Sequence, residues 1–252
     1  MDISEDNDHE LNQLGWWSHW AKLIWFSKQC YAFLSRVLSE PLFNHSEFLD
    51  PGAYGAELLP EIEVAFQREG LTPSFFVKDI EGYHIIGEKL RANGYRVIDQ
   101  LSVMKMVSAS FNGNAEVKPE VIGEDGIERW CETYLLSFYE ENDLLVDVME
   151  IAERALKDRR TKLILAIYDG VPAGTLALYE TEKIGGVYCV GTLPRFRRSG
   201  VASTMLKFAY ELSREDGKKL ALQTFLTDSL ERFYMERGFR RAYIKDVLVK
   251  SE

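Results

Sequence analysis

Apolar positions along the chain change their spacing in a regular way, and the C-terminal half shows it most clearly. Residues 162–168 are an apolar run that ends at Asp169-Gly170, a pair suited to a two-residue hairpin turn, and 171–179 supply the returning strand. A further strand is expected over 185–192. Val201, Met205, Phe208 and Leu212 then recur at helical spacing up to Asp216-Gly217, where the helix should stop. Strand 219–225, helix 229–237 and strand 238–249 complete this half. Upstream of it, 117–122 suggests a strand, and 127–139 and 143–157 suggest two helices, the second with Leu144, Val148, Ile151 and Ala155 on one face.

The N-terminal half is harder to divide. Its first dozen residues are acidic and read as disordered, and Leu14 to Leu38 reads as one long amphipathic helix. Lys22, Lys28 and Arg36 keep that segment well short of the ~20 apolar residues that cross a membrane. Trp16, Trp17, Trp20 and Trp25 lie within it, a clustering that points to core or interface packing. A helix near Leu58 to Arg68, a strand at Ser74 to Lys78, a helix at Tyr83 to Arg91 and a long strand from Tyr95 to Val107 follow. The small, polar stretch 108–116 then suggests a boundary between domains 1–114 and 115–252. The two halves also end alike. Residues 88–106 run helix, Asn-Gly-Tyr-Arg, strand, and residues 231–249 run helix, Arg-Gly-Phe-Arg, strand, which suggests duplication of one fold.

Composition narrows the function by exclusion. With 40 acidic and 30 basic residues the formal charge is −10, the wrong sign for tracking nucleic-acid phosphates. Cys30, Cys131 and Cys189 are odd in number and widely spaced, so no disulfide framework and no metal site is expected. The acidic start lacks the basic and apolar regions of a secretory signal. A cytoplasmic protein with no nucleic-acid or membrane partner fits these features, and a homodimer is compatible with them.

One segment carries positive charge in this acidic chain: Gly191-Thr-Leu-Pro-Arg-Phe-Arg-Arg-Ser-Gly-Val-Ala202, from a strand end into a helix start. Backbone N–H groups at a helix start, together with its dipole, bind phosphate oxygens. Gly200 and Ala202 leave room for a bulky diphosphate, and Arg195, Arg197 and Arg198 concentrate an anion there. A second stretch, Leu230-Glu-Arg-Phe-Tyr-Met-Glu-Arg-Gly-Phe239, closes the chain's last helix and opens its last strand.

The first stretch resembles the Arg/Gln-x-x-Gly-x-Gly/Ala motif of GNAT acyltransferases, and the second resembles that family's tyrosine, three residues, Gly-Phe motif. The likeness covers roughly the last 135 residues. It implies an α/β (α+β) fold, a mixed and mostly antiparallel sheet flanked by helices, in tandem if the N-terminal half is a degenerate copy. It also implies an N-acetyltransferase that moves an acetyl group directly from acetyl-CoA to a primary amine, with no metal. In that reading the backbone of Val190, Gly191 and Thr192 holds the pantetheine arm. The loop Arg197, Arg198, Ser199, Gly200, Val201 and Ala202, with Ser203, holds the diphosphate. Tyr234 protonates the departing thiolate, for which a phenol of pKa about 10 is suited.

Some positions depart from the family or fall outside its pattern. Thr227 stands where many relatives have asparagine, so its hydroxyl is the expected replacement contact to the cofactor. The N-terminal half has no Arg-x-x-Gly-x-Gly/Ala, which implies lost cofactor binding there. No general base is indicated, because Glu180 and Glu182 read as an exposed turn and Cys189 as a small buried strand residue. The acceptor, a small molecule or a protein amine, is not specified. The alternative is a non-catalytic acyl-CoA-binding module whose tryptophan-rich N-terminal half binds a protein.

Overall fold

The computed structural model describes residues 3–55 and 57–251, with side chains from residue 7 onward. The chain runs α1 (Ile3–Trp20), β1 (Lys22–Ser27), β2 (Cys30–Leu34), β3 (His45–Phe48), α2 (Leu58–Arg68), β4 (Ser74–Lys78), α3 (His84–Ala92) and β5 (Tyr95–Met106). It continues as β6 (Lys118–Val121), α4 (Ile127–Phe138), α5 (Leu145–Leu156), β7 (Thr161–Tyr168), β8 (Val171–Glu180) and β9 (Ile184–Thr192). The last elements are α6 (Val201–Glu215), β10 (Lys219–Phe225), α7 (Glu231–Met235) and β11 (Phe239–Lys250). Two compact units result. The first holds the residues to Met104 with 223–231 and those from Arg241 on, and the second holds 105–222 and 232–240.

In the first unit the strand order is β1-β2-β3-β4-β11-β5, so the strand nearest the C-terminus fills a place between two N-terminal strands. β3 and β4 pair in parallel, while β1–β2, β2–β3 and β4–β11 are antiparallel. Alternate residues Cys30, Ala32 and Leu34 join Phe48, Phe75, Ile62, Phe66, Ile86 and Leu90 in a core beneath α2 and α3. The intervening residues of the strands carry a different load. Lys78 and Lys245 are direct cross-strand partners, and Glu10 of α1 and Glu47 of β3 lie buried beside them.

Two expectations for this region are corrected. The segment 14–38 is not one helix: α1 stops at Trp20 and a β-hairpin of β1 and β2 follows, because a run of aromatic and β-branched residues satisfies a strand as well as a helix. The opening residues are not disordered but helical from Ile3, and His9, Glu10, Asn12 and Gln13 are buried. Trp16, Trp17 and Trp20 are buried as core residues, the last two packed against the Phe43 ring, whereas Trp25 is half exposed. Among the described residues no helix is long and apolar enough to cross a membrane.

The second unit is a sheet in the order β10-β9-β8-β7-β6, antiparallel except for the parallel β9–β10 pair. Asp169 and Gly170 both take positive φ, +53° and +75°, which is what the two-residue turn between β7 and β8 demands. α4, α5 and α6 pack on β7, β8 and β9, and Trp130 donates its indole N–H to the Ile164 carbonyl at 3.1 Å. α7 spans only five residues, shorter than the nine expected from sequence.

Candidate active site

The site is built on the end of β9. Its parallel ladder with β10 runs only from Ile184 to Val187, opposite Lys219 to Leu222. Beyond it the chain bulges: Thr175 faces Gly191 and Ala177 faces Tyr188, so two residues of β9, Cys189 and Val190, stand against one of β8. Cys189 takes φ +52° in this bulge, and its carbonyl accepts from the Thr175 hydroxyl at 3.0 Å. Small residues are required beside it. A Cβ on Gly174 would stand 2.5 Å from the Gly191 carbonyl oxygen, and one on Gly191 would stand 2.8 Å from Ser137 Cβ of α4.

After Thr192 the chain makes a single 3-10 turn, Pro194–Phe196, then Arg198 and Gly200 adopt φ +66° and +87° before α6 begins. Among the described residues the amides of Arg198, Gly200, Val201, Ala202 and Ser203 have no hydrogen-bond acceptor, so they form a row of donors at the positive end of α6. Gly200 is also closely packed, since a Cβ there would come within 3.0 Å of Asn114 Cβ. Asn114, from the stretch that reads as a linker, donates through Nδ2 to the Ser199 carbonyl at 2.9 Å and through its amide to Thr204 Oγ1 at 2.8 Å. It fixes the loop from beneath.

The arginines of this loop differ in what they do. Arg197 reaches back to the carbonyls of Ser137 and Thr192 at 3.3 and 3.4 Å, tying the loop to α4 and β9. Arg195 lies 4.7 Å from the Phe196 ring centre and lines an apolar groove of about 330 Å³ with Leu136, Leu193 and Pro194. Arg198 is exposed.

Tyr234, on α7, is 6% exposed and lies between the rings of Phe233 and Phe239. Three residues on, Arg237 lies over the Phe233 ring at 3.4 Å and donates from Nε to Ser203 Oγ at 2.6 Å. Gly238 follows with φ +93°, against the Ser108 carbonyl. A left-handed glycine and a cationic clamp thus join the short helix of Tyr234 to the first turn of α6.

A profile of the acetyltransferase (GNAT) family matches residues 127–239, which include the bulge, the donor row and Tyr234. Residues 127–239 are a GNAT acetyltransferase domain. Solved structures are similar over nearly the whole chain. A GCN5-related N-acetyltransferase from Kribbella flavida superposes with a TM-score of 0.69 at 16% identity, covering 98% of this chain and 95% of its own. One from Sphaerobacter thermophilus gives 0.67 at 15% identity, with 88% and 76% covered. A putative GNAT acetyltransferase from Novosphingobium aromaticivorans gives 0.57 at 18%, with 96% of each chain covered. At these identities the likeness is one of fold. A search of curated protein sequences gave no match.

With the GNAT domain in place, its other candidate residues can be located. Thr227 belongs to the first unit, where its hydroxyl donates to the Asp99 carboxylate. Glu180 is neither an exposed turn residue nor a candidate base. It is 5% exposed, pairs with Lys162 and with Lys218 at 3.3 Å, and faces Gly185 at the end of the β8–β9 ladder remote from Thr192. Burial, with Cys131 nearby, raises the Cys189 thiol well above its ordinary value, so it is a poor nucleophile at neutral pH. Nothing local in the sequence marks Arg237 or Asn114 for positioning, because their partners are distant in the chain, and Arg197, a ligand contact by its motif, is engaged by backbone carbonyls instead.

Proposed function

We propose that the chain transfers an acetyl group from acetyl-CoA directly to a primary amine, with the chemistry carried by residues 115–252. The observation that supports this best is the row of unpartnered amides of Arg198, Gly200, Val201, Ala202 and Ser203, which follows the part of β9 beyond its ladder with β10. Those amides suit a diphosphate, and the backbone of Val190, Gly191 and Thr192 suits the amides of the pantetheine arm. The side-chain contributions of the loop are unequal. Ser203 Oγ is engaged by Arg237 and Arg197 by backbone carbonyls, so both act on the ligand through the amides they position. In the reaction the neutral amine attacks the thioester carbonyl, the C–S bond breaks, and Tyr234 gives its proton to the departing thiolate while water takes the amine's proton.

Calorimetric titration of the whole chain with acetyl-CoA and with CoA tests this reading. Binding by the wild type that Gly200→Glu abolishes, followed by acetylation of members of an amine panel that Tyr234→Phe slows, is the expected result. A folded wild type that binds neither ligand refutes it.

A further inference from the structure

A second pocket, of about 440 Å³, lies in the first unit between the end of β4, α3 and β11, and none of its lining residues belongs to the loop, the end of β9 or α7. Its charges are unevenly satisfied. Asp246 accepts from Arg91 Nη2 at 2.8 Å and from Gln100 Nε2 at 2.9 Å, so both members of that pair are engaged. Asp79 stands 3.6 Å from His84 Nδ1 at the exposed rim. Glu88 has no hydrogen-bond or ionic partner among the described residues. Lys78 is the unusual member. Its side chain is 7% exposed, yet among the described residues no acceptor hydrogen-bonds its Nζ. Glu10 Oε1 is 3.7 Å away and already accepts from the Tyr243 hydroxyl, while the rings of Tyr83 and Tyr243 lie at 5.2 and 5.7 Å.

An ammonium largely withdrawn from water and held by one loose ion pair and two rings keeps donors to spare. Lys78 lines the pocket, which is where a further acceptor fits. A second feature keeps that space open. Gly87 sits in the interior of α3, where glycine costs about 1 kcal/mol relative to alanine. A Cβ there would stand 3.0 Å from Arg91 Nη1, inside the lining.

We propose that this pocket binds a free amino acid, its carboxylate accepting from Lys78 Nζ and its ammonium meeting Glu88 and Asp79. The site is independent of acetyl transfer, and its test does not require activity. Thermal-shift and calorimetric titration of the full chain with each of the common amino acids at millimolar concentration should identify at least one that binds saturably. Lys78→Met should weaken that ligand about tenfold to a hundredfold, the effect of losing a hydrogen bond to a charged group. Gly87→Leu, which fills the pocket while favouring the helix, should abolish binding with acetyl-CoA affinity and the far-UV spectrum unchanged. The proposal is overturned if no amino acid binds the wild type, if succinate binds as well as every amino acid does, or if both variants bind as the wild type does.

Discussion

Arg237 Nε and Ser203 Oγ meet at 2.6 Å, and this one bond connects the helix of Tyr234 with the turn whose amides form the donor row. Arg237 also donates from Nη1 to the Phe233 carbonyl at 2.6 Å and covers the Phe233 ring, so its guanidinium holds both ends of the connection. Burial lowers the Arg237 pKa from its high ordinary value, and the group remains cationic at neutral pH. Arg237→Ala should therefore raise the KM for acetyl-CoA and lower kcat together, by about tenfold to a hundredfold in kcat/KM. Arg237→Lys can restore a donor but not the planar stack, and should recover only part of the loss. Steady-state kinetics on the two variants check this.

Tyr234→Phe removes one oxygen from a residue packed between two rings, so the fold and the acetyl-CoA affinity should be preserved. A general acid contributes about 10² to 10⁴ in rate, and kcat should fall within that range. Equal loss of acetyl-CoA affinity and rate, measured by calorimetry and initial rates, would instead make Tyr234 a binding residue.

The two repeated helix–Gly–strand segments predict unequal tolerances. Gly94 and Gly238 take the same left-handed conformation, φ +83° and +93°. A Cβ on Gly94 meets nothing within 4 Å, whereas one on Gly238 would overlap the Ser108 carbonyl oxygen. Gly94→Ala should cost about 1 to 2 kcal/mol, the strain of the backbone alone. Gly238→Ala adds a backbone clash and should cost about 3 kcal/mol or more. Urea unfolding of both variants gives the comparison.

How much of this was readable in advance depended on how local the cause is. Strands β7 to β9, the Asp169-Gly170 turn and the helix entry at Gly200 follow from neighbouring residues, and their sequence reading agrees with the structure. α1 does not, because Glu10 is buried by Lys245, 235 residues away in the sequence. An acidic segment whose counter-charge lies at the other end of the chain looks like a solvated tail. The hairpin of β1 and β2 was hidden for a different reason: Lys28-Gln29 turns without glycine or proline, so nothing marked a break in the aromatic run. β3 was missed as well, since His45, Ser46 and Glu47 are polar and yet buried. In the site, Tyr234 and the loop were legible as motifs, but Asn114 and Arg237 act through contacts 85 and 34 residues away.

The buried charges of the first unit yield the last prediction. Lys245 is 0% exposed and donates to Glu10 at 2.8 Å, to Gln13 at 3.0 Å and to both oxygens of Glu47 at 2.8 and 2.9 Å. Burial alone would raise the Glu47 carboxyl, but Lys245 and His45 outweigh it and hold the group well below the ordinary carboxylate range. Stability from Glu47 is therefore present above that range and is lost as pH falls through it. Lys245→Met removes the shared cation and leaves two buried carboxylates, which should cost about 3 to 5 kcal/mol at neutral pH. In the variant both carboxyls titrate above their ordinary values, so lowering the pH lets the folded state take up protons and regain stability, whereas in the wild type only Glu10, which burial raises, does so and Glu47 acts in the opposite direction. The difference between the two proteins should thus shrink steadily from pH 7 to pH 4 in denaturant titrations. A constant difference would mean that Lys245 contributes by filling space and that its charge is immaterial.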